Sequence, residues 1–159
     1  MKTRGIVDED FINYKKPAMF ISATSCTFKC CHDANIPESV CHNSTIVNSP
    51  IIDIPADEIL RRYVNNPITE AIVVAGLEPI LQFNEVVDLL KKLRSVSNDD
   101  FVVYTGYNFD EIRDKIQELK LYDNVIVKFG RYIPDRPNRY DEVLGVELAS
   151  DNQYAMRIS

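Results

Sequence analysis

Ala71-Ile72-Val73-Val74-Ala75, followed at once by Gly76-Leu77-Glu78-Pro79, is the stretch on which the fold turns. An unbroken apolar run with β-branched residues at its centre is the pattern of a strand buried on both faces, as parallel strands in α/β proteins are. Gly76 and Pro79 then punctuate the chain and mark a turn. Helical periodicity lies on either side. Ile59, Leu60, Tyr63 and Val64 form one face of a segment starting at Ala56, and Asn65-Asn66-Pro67 stops it. Val86, Val87, Leu89, Leu90 and Leu93 form the face of a second, interleaved with Glu85, Asp88, Lys91, Lys92 and Arg94.

Working outward, Ala18–Ala23, Asp100–Tyr104 and Asn124–Phe129 read as further strands. A third helix is expected from Glu111 to about Leu121, capped by Asn108 or Asp110. Residues 1–16 form a lead-in with a short strand at Gly5-Ile6-Val7. Residues 44–56 are irregular around Pro50 and Pro55, and Tyr154–Ile158 suits an edge strand. The body therefore reads β–loop–α–β–α–β–α–β, which implies a mostly parallel sheet with right-handed crossovers. Four or five strands fit, so length excludes a closed eight-stranded barrel. A partial (β/α) barrel or an open α/β sheet remains.

A chain of 159 residues suits one domain. The expected boundaries are a single unit over 1–159, with its core at about 17–130 and a C-terminal extension at 131–159. Twenty-four acidic residues against 18 basic ones give a net charge of −6, the wrong sign for a protein held to nucleic acid by phosphate contacts. No signal-peptide core or membrane-length apolar run is present, so a cytoplasmic location is expected. That compartment favours metal or redox roles for cysteines over disulfides.

All four cysteines fall between Ser25 and Asn43, just after the first central strand: Cys26, Cys30, Cys31 and Cys41. Free cysteines are often small hydrophobes in a core. The residues between these four, among them Lys29, His32, Asp33, Asn35 and Glu38, are those of a polar loop. Clustered thiolates suit soft metals, as an iron–sulfur cluster or as structural zinc. Consecutive side chains point apart, so Cys30 and Cys31 rarely share a metal. The expected ligands are Cys26, Cys30 and Cys41, with Cys31 a spare thiol. Zinc would recruit His32 or His42 as a fourth ligand, whereas a four-iron cluster on three cysteines keeps one iron open.

The segments after the strands hold the other candidates: Gly76-Leu77-Glu78-Pro79 and Thr105-Gly106-Tyr107. Parallel topology brings strand ends to one rim, where α/β sites are built. Glu78 is an isolated carboxylate between a buried strand and Pro79; it suits either a helix cap or a ligand amine.

These residues together resemble the radical S-adenosylmethionine (SAM) superfamily. The Cys-x3-Cys loop, closed by Cys41-His42-Asn43, resembles that of the activating enzymes of glycyl-radical enzymes. Gly76-Leu77-Glu78-Pro79 is similar to the superfamily's Gly-Gly-Glu-Pro motif, with Leu77 at the second glycine. Tyr104–Glu111 resembles the Thr-Gly-Tyr segment of anaerobic ribonucleotide reductase activases. Val127–Tyr132 and Ser150-Asp151-Asn152-Gln153 look like their C-terminal part. The usual Cys-x3-Cys-x2-Cys spacing is stretched here, with Asp33 where the third cysteine normally stands, and residues 31–40 read as an insertion.

The resemblance implies a partial barrel of radical SAM type. It implies a 4Fe-4S cluster on Cys26, Cys30 and Cys41, and SAM bound through Glu78 and Gly76 in the Gly-Leu-Glu-Pro motif with Pro79. Val40 would lie near adenine, and Asn43 and Thr105 near the ligand's carboxylate or ribose. It further implies reductive cleavage of SAM to a 5′-deoxyadenosyl radical that installs a glycyl radical on a partner, anaerobic ribonucleotide reductase being favoured. An electron donor such as flavodoxin or ferredoxin would serve it. Two other readings stand beside this one. The first is a non-catalytic 4Fe-4S electron-transfer or accessory protein. The second is an α/β binding module stabilised by zinc on Cys26, Cys30, Cys41 and His42.

Overall fold

The computed structural model describes residues 1–41 and 43–159. In chain order the elements are β1 (Lys2–Thr3), β2 (Gly5–Asp10), β3 (Ala18–Ser22), α1 (Lys29–Asp33), β4 (Ile52–Asp53), α2 (Ala56–Val64) and β5 (Ala71–Ala75). Then come α3 (Phe83–Arg94), β6 (Asp100–Tyr104), α4 (Arg113–Leu119), β7 (Val125–Phe129), β8 (Arg139–Asp141), β9 (Val146–Leu148) and β10 (Tyr154–Arg157). Short 3-10 turns lie between several of them.

The main sheet has six strands in the order β10-β7-β6-β5-β3-β2. Strands β3, β5, β6 and β7 run parallel, and β2 and β10 close the two edges antiparallel. Each βαβ step moves to the adjacent strand in the same direction. Right-handed crossovers then place α2, α3 and α4 on one face. There Ile59, Tyr63, Leu89, Leu90, Leu93, Ile116 and Leu119 pack on Met19, Ile21, Ile72, Val74, Phe101, Val103 and Val127.

The other face carries the alternate residues Ala18, Ala71, Val73, Ala75, Val102 and Ile126, mostly small. Tyr14 from the lead-in and Leu144 and Leu148 from the C-terminal segment cover it. Residues 1–16 and 131–159 are thus the second layer of the core. At the N-terminal end of β6, the buried Asp100 carboxylate accepts from Tyr14 Oη (2.9 Å) and pairs with Lys16 Nζ and Arg157 (2.7 Å each). That network ties both terminal segments to the central strands, at the end remote from the cysteines.

Several expectations are corrected. The sheet has six strands rather than four or five, because the expected lead-in strand and the expected C-terminal edge strand both join it, antiparallel, at its two edges. Strand β2 runs on through Asp8-Glu9-Asp10, beyond the expected Gly5–Val7; charges are well tolerated on an exposed edge. The third helix begins as a 3-10 turn at Phe109–Ile112 and ends at Leu119, two residues early. Of the two proposed caps, Asn108 forms the capping box, its N–H donating to Glu111 at 2.8 Å. The β8–β9 hairpin was not anticipated. Its turn is built by Asp141, whose Oδ1 accepts from the Val143 and Leu144 N–H groups (3.0 Å each).

Candidate metal centre

The cysteine loop leaves the C-terminal end of β3, and the exits of β5, β6 and β7 lie beside it. Together they enclose a cleft of about 200 Å³. Cys26, Cys30 and Cys41 line it, with Asn43, Gly76, Glu78 and Thr105. Two other expected site residues sit elsewhere. Val40 ends a 3-10 turn and is 49% exposed, away from the cleft lining. Pro79 is buried behind the cleft as the first residue of the turn Pro79–Gln82, where its missing N–H costs nothing. His42 lies outside the described residues.

Glu78 is 5% exposed and held by donors on both oxygens. Oε1 accepts from Ile80 N–H (3.1 Å) and Thr105 Oγ1 (2.8 Å), and Oε2 accepts from Gly106 N–H (2.8 Å). Each carboxylate oxygen offers about two lone pairs, so Oε2 retains one for a further donor. Burial pushes the Glu78 carboxyl up; the three donors and Lys128 act against it. Glu78 N–H also donates to Ser25 O at 2.8 Å, joining this motif to the cysteine loop. The close fit of β5 against β3 depends on Gly76. Its φ is +83°, and a Cβ there would stand 2.6 Å from Ser22 Oγ.

Lys128 is 7% exposed and also lines the cleft. Its Nζ donates to Gly130 O at 2.9 Å. Burial lowers its pKa to about 8, against the opposing influence of Glu78 and Cys30. Lys128 was not among the site residues expected from sequence. The signal was there: a lone charge inside the apolar run Val125–Phe129. A buried lysine needs either an anion or a site to serve.

Arg131, next along the rim, was not expected either; it follows the strand, where a charge carries no local signal. It forms a two-pronged pair with Glu111 (2.7 and 2.8 Å), lies 3.7 Å from Asp33, and sits over the Tyr107 ring at 5.5 Å. Asn152 Nδ2 donates to Arg131 O (2.9 Å) and Gln153 Nε2 to Gly130 O (3.1 Å). The turn 150–153 therefore buttresses this wall.

The three cleft thiols are half-buried. Phe28 N–H donates to Cys26 Sγ (3.3 Å) and Asn43 N–H to Cys41 Sγ (3.5 Å). Burial pushes the Cys26 thiol up to about 11, eased by the Phe28 N–H and raised further by Glu78, Cys30 and Cys41. A metal arriving there displaces protons. Cys31 is fully buried, although the residues around it are those of a polar loop. Its Sγ is 4.0 Å from Cys30 Sγ, so these two consecutive side chains do not point apart as expected, although Cys31 stays off the cleft lining. Among the described residues, no three His, Cys, Asp or Glu side chains close around a single-ion position. Three soft donors on one rim, two of them already receiving backbone N–H groups, fit iron–sulfur ligation.

A family model described as a 4Fe-4S single cluster domain matches residues 17–153. The chain belongs to that family. No curated protein and no solved structure matches it. In this 4Fe-4S single cluster domain the match runs from the approach to β3 through the turn that buttresses Gly130, and so includes every wall of the cleft. The family makes the chain a metal-binding iron–sulfur protein. Among the described residues, no helix is long and apolar enough to cross a membrane.

Proposed function

We propose that this protein reductively cleaves SAM and installs a glycyl radical on a partner enzyme, with anaerobic ribonucleotide reductase the favoured partner. The observation that carries the reading is Glu78: a buried carboxylate held from two sides, with an open lone pair, beside three thiols in one cleft. The family's occurrence in radical-SAM-related proteins supports it. So does the sheet, whose one-directional order of four parallel strands suits a partial barrel.

Cys26, Cys30 and Cys41 would hold the cluster. Held there and reduced by an external donor, it would supply the single electron for cleavage of the sulfonium C5′–S bond of SAM, the products being methionine and a 5′-deoxyadenosyl radical able to take hydrogen from a glycine Cα. The chain's own groups bind and orient. Glu78 Oε2 receives the ligand's ammonium, and the fixed backbone at Gly76 lets the ligand approach β5. Lys128 presents a buried positive charge to its carboxylate. Asn43 and Thr105 provide polar edges, although the Thr105 hydroxyl is already committed to Glu78. A docked protein partner would exclude water from the cleft. The one-electron donor is of the flavodoxin or ferredoxin class.

Binding tests this directly. Cluster-loaded protein should take up SAM in anaerobic equilibrium dialysis, and Glu78→Gln should lose most of that affinity while retaining its iron. Full iron content without SAM binding would instead support an accessory electron-transfer protein. One observation favours that second reading: Leu77 is a lining residue of the cleft where the resembled motif has glycine. The zinc reading depends on His42 and has no support from the family match.

A further inference from the structure

Cys31 is the one cysteine that does not line the cleft. It is fully buried, with Sγ 4.0 Å from Cys30 Sγ. Its backbone is tied at both ends, the N–H donating to Phe28 O (2.9 Å) and the carbonyl accepting from Ile36 N–H (3.0 Å). The thiol is therefore held against Cys30 by the fold of the loop.

The three cleft sulfurs differ in what they receive. Cys26 and Cys41 take backbone N–H donors, from Phe28 and Asn43. Among the described residues, the neighbour that can donate to Cys30 Sγ is the Cys31 thiol. A metal-bound Cys30 is a thiolate without a proton, so the only hydrogen in that contact belongs to Cys31. An S–H group can serve as a weak donor.

We propose that Cys31 is a positioning residue whose thiol donates an S–H···S hydrogen bond to the Cys30 thiolate and thereby raises the reduction potential of the cluster. The inference rests on Cys30 being a cluster ligand. Hydrogen bonds to ligand sulfurs help set cluster potentials, because a donor stabilises the added negative charge of the reduced state. With Cys31 in place, all three ligand sulfurs carry a donor.

The test compares the full chain with Cys31→Ala and Cys31→Ser, each reconstituted anaerobically. Iron content, midpoint potential by redox titration followed by electron paramagnetic resonance, and thermal stability are read together. All three should hold about four irons. The Cys31→Ala potential should move to a more negative value, while Cys31→Ser, which keeps a hydroxyl donor, stays near the parent. If Cys31→Ala does not fold, Cys31→Val fills the space without a donor and carries the same expectation.

An unshifted potential in Cys31→Ala overturns the proposal. So do equal shifts in the alanine and serine variants, which would mark a packing effect, and so does loss of iron, which would make Cys31 a ligand. A parent protein that takes up no iron removes the ligand assignment as well. An intact cluster that shifts as expected but never cleaves SAM would refute the catalytic reading and leave the role of Cys31 standing.

Discussion

Asp33 Oδ2 lies 3.7 Å from the Arg131 guanidinium, joining the end of α1 to the exit of β7. Asp33 also pairs with Lys29 at 2.6 Å, one helical turn back. The position where a tightly spaced third cysteine would stand is thus used to dock the lengthened loop, and Cys41 brings the third thiol instead. The two-pronged Glu111 pair holds Arg131 in place for this contact.

Arg131→Lys should loosen the loop without unfolding the protein. Lysine offers no planar fork and stacks poorly on Tyr107. The ion pairs are partly exposed, so the stability cost is about 1 kcal/mol or less. Amide hydrogen exchange at residues 30–36 should accelerate in Arg131→Lys and in Asp33→Asn, while α3 stays protected. Unchanged exchange in both variants would show that the loop is held by other contacts.

Glu78→Gln replaces one acceptor with an NH₂ group that must face a donor. Leaving a buried N–H such as that of Gly106 unsatisfied costs about 1–3 kcal/mol. It also removes the charge that holds up the Lys128 pKa. Nuclear magnetic resonance titration of Lys128 in iron-free protein should give a lower pKa in Glu78→Gln than in the parent.

Lys128 also sets a pH dependence for ligand binding. With a pKa of about 8, it loses its charge as pH rises through that value. Affinity for a carboxylate ligand should therefore fall on the alkaline side. Binding measured from pH 7 to pH 9 should weaken in the parent and stay flat in Lys128→Met.

Asp100 predicts acid behaviour at the opposite end of the sheet. Burial raises its carboxyl, but hydrogen bonds from Lys16, Arg157 and Tyr14 outweigh this and hold it below the usual carboxylate range. Its contribution is therefore complete above the unfolded value, about pH 4. It drains as pH falls from there through the depressed folded value. Asp100→Asn should cost about 1–3 kcal/mol at neutral pH, and the gap to the parent should narrow below pH 4 in denaturant titrations.

Gly76→Ala tests the close approach of β5 to β3. The left-handed backbone alone costs about 1–2 kcal/mol for a residue with a Cβ, before the contact with Ser22. A fall in Tm of roughly 2–8 °C is expected from the backbone term at this chain length. A variant as stable as the parent would contradict the geometry.

The sequence made the parallel strands legible because Ala71–Ala75 and its counterparts are buried on both faces, and the helices because their apolar faces repeat at the helical period. Cleft neighbours such as Glu78 and Thr105 followed from placing both at strand ends. Three things were hidden for physical reasons. The continuation of β2 through Asp8-Glu9-Asp10 carries charge and loses the apolar signal that marks Gly5–Val7. The second face of the sheet is small-residue surface, so its covering by Tyr14, Leu144 and Leu148 depends on long-range packing that no local pattern encodes. Arg131 reads locally as an ordinary charge, and only the converging strand ends reveal that it bridges the loop; Lys128 stands out as a lone charge in an apolar run, but its place beside Glu78 and the thiols depends on those same strand ends.

The most direct measurement is formation of 5′-deoxyadenosine after anaerobic cluster reconstitution, dithionite reduction and addition of SAM. Product is expected from the parent and from Cys31→Ala, and none from Cys26→Ala, Cys30→Ala, Cys41→Ala or Glu78→Gln. A fully loaded, reduced parent protein that leaves SAM intact would contradict the proposed cleavage.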